Sequence, residues 1–266
     1  MSYTNYYRDS GMFHASMPLI MHTRLDVLLF EKSEKELVDI WDEAEKALKA
    51  LEKMFNRFDR ESETAKVNAG AQSKPVELSD ALWEVIMECR GFYEKTDGNF
   101  DITLSNFKHL IIKEENHSVQ FDKPGMLIDF GGIAKGYALQ KIAEIIQKAG
   151  IRRALANFGN SSALAVGAHP HGDSWKIGIH NPFNNKLLET ICLCDTAMSV
   201  SGNSPQNTRH IVSKDNQWIR ENKITAIVAG DPVEAEVITT AWIASQEEKP
   251  VWLQEFNIKQ YILYHV

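Results

Sequence analysis

The sequence predicts a mixed α/β fold of the α+β type, with helices concentrated early and largely antiparallel strands late. Three observations carry this prediction. Apolar residues recur at helical spacing over 33–55 and again over 80–95. Short apolar or alternating runs of strand length crowd the second half. No repeat, low-complexity tract or Pro/Gly linker interrupts the chain. The expected organisation is therefore a loose polar arm over residues 1–16, followed by one domain over 17–266.

Each element has a local reason. Residues 19–30 (LIMHTRLDVLLF) mix alternation with a terminal apolar run and read as one strand. In the first helix Leu37, Ile40, Trp41, Ala44, Leu48, Leu51 and Phe55 fall on one face. Ser33 is its expected N-cap, with Glu36 as capping-box partner. Residues 56–79 read as loop, and Ser79 or Asp80 caps the second helix. The turn TDGNFDIT follows, then strands near 109–113 and 117–121. A third helix over 135–149 ends at Gly150. Strands are expected near 153–156, 163–166, 175–180, 189–193, 197–200, 218–219, 224–229 and 260–266, with a short helix over 232–244.

Bulk properties exclude several function classes. The chain of 266 residues is 44% hydrophobic, enough apolar material for a large core. Lys plus Arg is 29 against 36 Asp plus Glu, and no basic run appears, which argues against general nucleic-acid binding. No apolar run approaches the roughly 18 residues needed to span a bilayer. Cys89, Cys192 and Cys194 suggest no disulfide framework and read as buried small apolar residues.

The richest stretch is IDFGGIAKGYALQ over 128–140. An apolar strand end delivers Asp129, two glycines follow, and Lys135 opens a helix. Paired glycines allow close backbone approach, and a helix start offers free N–H donors, a combination suited to phosphate. A tight strand-to-helix connection with a solvated lysine is the plainer reading. The spacing matches neither a Walker loop nor G-x-G-x-x-G. Asp101, just past the Asp97-Gly98 turn, can project into a cleft. Glu236 and Thr240 lie four apart on one helical face and could ligate a hard cation such as Mg2+; the alternative is a solvated glutamate and a threonine bonded back to a carbonyl. Nine histidines show no zinc spacing. His210, in a polar loop, is a candidate acid or base, or else a solvated loop histidine.

Read in order, these fragments resemble the ApbE family, the FAD:protein FMN transferases. DFGGIAKGYA is similar to that family's strand–glycine–lysine motif, and TDGNFDIT to its T-D-G-x-F-D-x-T segment. MHT at 21–23 is similar to M-G-T, and ESETAKVNAG to an S-x-x-x-x-x-N stretch ending at Asn68. NFG at 157–159, SG at 201–202, HI at 210–211 and Glu236 with Thr240 complete the series, so the resemblance covers roughly residues 17–250. It implies a T-fold-like architecture that binds FAD with Mg2+ at its pyrophosphate. It further implies transfer of FMN to a threonine hydroxyl of an acceptor protein, with release of AMP.

By the same resemblance, Met21 and Phe58 lie against the isoalloxazine ring, and Asn68, Asn99, Phe100 and Asp101 line the cofactor pocket. Asp129, Lys135 and Ile211 contact FAD; the Gly132 carbonyl, Glu236 and Thr240 surround the metal; His210 sits close to the transferring phosphate as the catalytic group. Four departures stand out. Glu236 replaces the family's Asp, Asn160 its second glycine after NFG, and His22 the glycine of M-G-T. Past Ile211, VSKDN replaces D-P-x-T-G. A same-fold FAD-binding protein with little or no catalysis, and an FAD pyrophosphatase releasing FMN and AMP, are the alternatives. The first residues show neither a signal peptide nor a lipidated cysteine, so the chain as given reads as soluble and cytoplasmic, or as a periplasmic lipoprotein if a leader has been removed.

Overall fold

The structure is a computed structural model and describes residues 2–205 and 211–266. Its centre is an eight-stranded sheet in the order β1-β2-β3-β7-β8-β11-β12-β13, antiparallel throughout. These strands are β1 (Tyr3–Tyr7), β2 (Met12–Ile20), β3 (Thr23–Leu29), β7 (Ala154–Phe158), β8 (Ser162–Val166), β11 (Thr196–Gly202), β12 (Lys223–Ala229) and β13 (Ile258–His265). A three-stranded sheet joins β4 (Val76–Glu77), β6 (Ser118–Phe121) and β5 (Leu110–Lys113). The hairpin of β9 (Trp175–His180) and β10 (Leu187–Leu193) forms a third. The helices are α1 (Glu34–Phe55), α2 (Glu63–Gly70), α3 (Asp80–Lys95), α4 (Ala134–Lys148) and α5 (Pro232–Ser245). The mixed α/β expectation therefore holds, with a large antiparallel sheet at its core.

Two apolar layers follow from strand alternation. Val27, Ala154, Ala156 and Phe158 point to one face, where they pack with Leu37, Trp41 and Leu48 of α1 and Leu139 and Ile142 of α4. Ala163, Ala165 and Met198 point to the other face, under Trp175, Ile179, Ile191 and Leu193 of the β9–β10 hairpin. A further core packs α3 and α5 around Phe100, Phe130 and Trp242. α5 is buried on nearly every side, which explains its almost unbroken apolar sequence. No described helix is long and apolar enough to cross a membrane.

Several local expectations change. The loose arm expected over 1–16 is not found among its described residues, 2–16: β1 and most of β2 form an edge hairpin, with Tyr3 opposite Ser16 and Tyr7 opposite Met12. Phe13, Ala15 and Met17 are buried at period two, a signal masked by the polar and aromatic outer face of β1. The single strand read over 19–30 is part of a second hairpin, reversing at Met21 and His22, which both adopt left-handed backbone (φ 48° and 64°). That turn has neither Gly nor Asn to mark it in the sequence. The supposed loop after α1 contains α2, a two-turn helix capped by Ser62, whose hydroxyl accepts from Ala65 N–H at 2.9 Å. Residues 218–219 give only an isolated bridge, Val212 to Trp218. Cys192 and Cys194 are exposed, and only Cys89 is buried. The α1 capping box is present as read, with Ser33 and Glu36 bonded reciprocally.

Candidate functional site

A cavity of about 920 Å³ opens beside the α4 N-terminus, α5 and the ends of β3, β7 and β11. Its floor comes from the glycine–lysine motif. The Asp129 carboxylate accepts from Gly131 N–H at 2.7 Å, which turns the chain out of its extended run and into α4. A Cβ on Gly132 would lie 3.1 Å from Thr240 Cγ2. One on Gly136 would lie 2.8 Å from the Pro232 carbonyl oxygen and from Val233 Cα. The glycines thus let α4 lie directly on α5, and this contact brings Lys135 to Glu236. No side chain caps α4, whose N-cap position is Ile133, so its first N–H groups lack a side-chain acceptor.

Glu236 is only 2% exposed, yet its carboxylate is fully engaged. Oε1 pairs with the Lys135 ammonium. Oε2 accepts from Ser162 Oγ at 2.6 Å and from Ser199 Oγ at 2.9 Å. Ser199 continues to Thr239 at 3.1 Å, which also receives Ser201 Oγ at 2.9 Å. A buried carboxylate is tolerable only with such company. The expectation of a solvated helical glutamate is overturned. Thr240 Oγ1, one turn further on, has no hydrogen-bond partner among the described residues and faces the cavity.

The aromatic end is equally connected. Phe58 is 67% exposed at the rim. The His22 ring meets it edge-on at 5.7 Å, and the Arg57 guanidinium lies 4.3 Å from its centroid. Arg57 Nε is also 2.7 Å from Asp129 Oδ2. This is an ion pair by proximity, because the N–H does not point along the line to the oxygen. A continuous path therefore runs from His22 and Phe58 through Arg57 to Asp129 and the glycine floor.

The Asn99–Asp101 turn forms another wall. Asp101 Oδ1 accepts from Thr103 N–H and Oγ1, both at 2.6 Å, and Oδ2 from Phe107 N–H at 3.1 Å. Burial pushes the Asp101 carboxyl above its ordinary range, and these hydrogen bonds oppose the shift. Asn99 donates to the Thr96 carbonyl at 2.8 Å, while its buried Oδ1 finds no partner among the described residues. Behind the wall, Asn68 does not line the cavity, contrary to expectation. Its amide clamps the backbone of Ile128, donating to the carbonyl at 2.9 Å and accepting from N–H at 2.7 Å, and so fixes the strand that delivers Asp129.

Met21, Phe58, Asn99, Phe100, Asp101, Asp129, Gly132, Lys135, Ile211, Glu236 and Thr240 thus share one cavity. His210 lies outside the described residues. The altered segment after it is well anchored. Ile211 and Ile219 pack with Ile243 and Ala244, and Ile219 N–H bonds the Ile211 carbonyl at 3.0 Å. Ser105 Oγ donates to the Ser213 carbonyl at 2.6 Å, and Trp218, 46% exposed, lines the cavity. Sequence reasoning missed Ser162, Ser199, Arg57 and Trp218. For Ser162 a signal existed, as the lone hydroxyl of the otherwise apolar strand β8, whereas Ser199 shares β11 with Thr196 and Ser201.

The oxygen set of Glu236, Thr240 and the Gly132 carbonyl is chemically suited to a hard cation. No cluster of three His, Cys, Asp or Glu side chains exists among the described residues. One carboxylate and one open hydroxyl fit a cation that takes its remaining ligands from water and substrate phosphates, as Mg2+ commonly does.

Comparison with known proteins agrees in fold and family. The family model described as "ApbE family" matches residues 21–111 and 104–262. A relative from Escherichia coli K12 named FAD:protein FMN transferase is 20% identical over 244 residues, covering 79% of this chain and 68% of that protein. One of the same name from Klebsiella pneumoniae is 22% identical over 179 residues, and the match spans 54% of its length. The crystallised flavin transferase ApbE of Vibrio cholerae superposes with a TM-score of 0.80 at 19% identity, covering 95% of this chain and 92% of that one. The ApbE protein of Thermotoga maritima gives 0.77 at 21% identity, covering 91% and 89%.

Proposed function

This chain belongs to the ApbE family, and on that premise we propose that it is an Mg2+-dependent FAD:protein FMN transferase. It would move FMN from FAD to a threonine of an acceptor protein and release AMP. Residues 17–266 would act as one FAD-binding unit. The observation that carries the reading is the joining, in one cavity, of an aromatic rim at Phe58 to an ammonium–carboxylate floor at Lys135 and Glu236. Its volume of about 920 Å³ lies at the upper end of the roughly 300–1,000 Å³ typical of ligand pockets.

In this reading Met21 and Phe58 hold the isoalloxazine, and the exposed ring of Phe58 supplies a face for stacking. Asn99, Phe100, Asp101 and Ile211 shape the walls, and Asn68 acts from behind by holding Ile128. Asp129 pairs with Arg57 and orients the turn into α4. Lys135 and the uncapped α4 N-terminus offer positive charge and N–H donors to the pyrophosphate. Glu236, Thr240 and the Gly132 carbonyl would hold Mg2+. Bound there, the ion would neutralise charge on the pyrophosphate, the main requirement of phosphoryl transfer. The threonine oxygen attacks the FMN phosphorus, the bond to the AMP oxygen breaks, and the threonine proton is assigned to His210.

A second reading, FAD binding without transfer, draws on the full engagement of Glu236 by Lys135, Ser162 and Ser199. One assay separates them. The protein is incubated with FAD and Mg2+, with and without an acceptor bearing a flavinylation motif, and AMP and in-gel flavin fluorescence are read. A fluorescent acceptor with equimolar AMP is the expected result. AMP without labelled acceptor identifies FAD hydrolysis, bound FAD without either product supports the second reading, and absence of FAD binding refutes all three.

A further inference from the structure

The Glu236 carboxylate already has a cation. Ser162 and Ser199 hold Oε2, and the Lys135 ammonium takes Oε1, the oxygen left for any other cation. Thr240, one turn further along α5, lines the cavity and has no hydrogen-bond partner among the described residues. A divalent ion drawing on Glu236 and Thr240 must therefore compete with an ammonium tethered in the first turn of α4. The tether makes that competitor permanently present at high local concentration. Removing it without replacement would leave a carboxylate that is 2% exposed with no countercharge. Only a ligand that offers the ammonium another anion, while bringing its own metal, exchanges both partners at once.

We propose that Lys135 is a resident stand-in cation that keeps Glu236 closed to divalent metal until a pyrophosphate draws the ammonium away, so that metal and nucleotide bind cooperatively. This rests on the reading of the cavity as an FAD site. The Glu236 side chain suits the arrangement: its two carboxylate oxygens reach Lys135 and the two buried serines. Coupling of this kind is reciprocal, so FAD must tighten metal binding by the factor by which metal tightens FAD.

The test is Mn2+ titration of the full chain, reading free Mn2+ by electron paramagnetic resonance and correcting for Mn2+ held by FAD alone. Without nucleotide, Lys135→Met should bind Mn2+ about tenfold more tightly than wild type, within the usual range of coupling between sites. Lys135→Arg, which keeps a cation, should stay near wild type. FAD should tighten Mn2+ binding to wild type by a similar factor and do little in Lys135→Met. Glu236→Gln should remove the gain in the Lys135→Met background. Equal or weaker Mn2+ binding by Lys135→Met overturns the proposal, as does a gain that survives Glu236→Gln. If Lys135→Met fails to fold, the wild-type arm decides: Mn2+ affinity indifferent to FAD overturns it. Wild type that binds no FAD by flavin fluorescence refutes the functional reading instead, and the nucleotide-free comparison still judges Lys135.

Discussion

Where α4 meets α5 beneath the cavity the backbone leaves no room for a side chain, whereas at the rim residues with side chains adopt left-handed backbone. At the floor, α4 and α5 meet backbone to backbone: a methyl on Gly136 would strike the Pro232 carbonyl and Val233 Cα at 2.8 Å. At the rim, His22 and Asn160 have left-handed φ of 64° and 57°. Asn216, in the altered segment after Ile211, has φ of 60°. A conformation that glycine adopts freely is held here by residues with side chains. Asparagine bears it at low cost, and histidine is among the residues enriched there. Position along the chain does not distinguish these glycines; what surrounds the missing Cβ does.

Five substitutions sharpen that contrast. Glu236→Ala has the largest expected effect, because it leaves Lys135 without its carboxylate beside a buried hydroxyl network. Stability in a denaturant titration should fall by about 3 kcal/mol, with metal-dependent AMP release lost. Unchanged release would refute the metal assignment. Gly136→Ala should cost about 1–3 kcal/mol in the same titration by forcing α4 away from α5. A neutral result would show that the two helices can separate without penalty.

Ser162→Ala removes one donor to the buried carboxylate and should cost about 1.5 kcal/mol, with Ser199→Ala similar. The two together should be non-additive because they share one oxygen, which a double-mutant cycle measures. The smallest effect belongs to the rim. Asn160→Gly should shift the unfolding midpoint by less than about 1 kcal/mol, since relief of left-handed strain is offset by greater freedom of the unfolded chain. A large loss would mean that the Asn160 side chain itself does structural work, through its 3.2 Å contact with Asn157.

The same contrast explains what the sequence made legible. Long elements with one strong face, such as α1 with its Ser33–Glu36 box, were readable because period, cap and burial agree. The hairpin at Met21–His22 was not, since its turn uses residues without turn propensity. β1 hid because an edge strand with two exposed faces needs no apolar alternation. α2 hid because eight residues give too little periodicity.

The site was legible as a set of motifs whose order resembled a family, and eleven of the residues so named line one cavity. Asn68 differs because an amide that clamps backbone and one that faces a ligand look alike in sequence. The partners of Glu236 escaped notice for a related reason. Ser162 and Ser199 lie 74 and 37 residues from it, and only the sheet under α5 brings them together.

The central claim is that the Lys135–Glu236 floor serves transfer of FMN from FAD to protein. In-gel flavin fluorescence of an acceptor, after incubation with FAD and Mg2+, compares wild type with Glu236→Gln, which keeps the side chain's shape. The account predicts a labelled acceptor with wild type and none with the variant; labelling by both, or by neither, would contradict it.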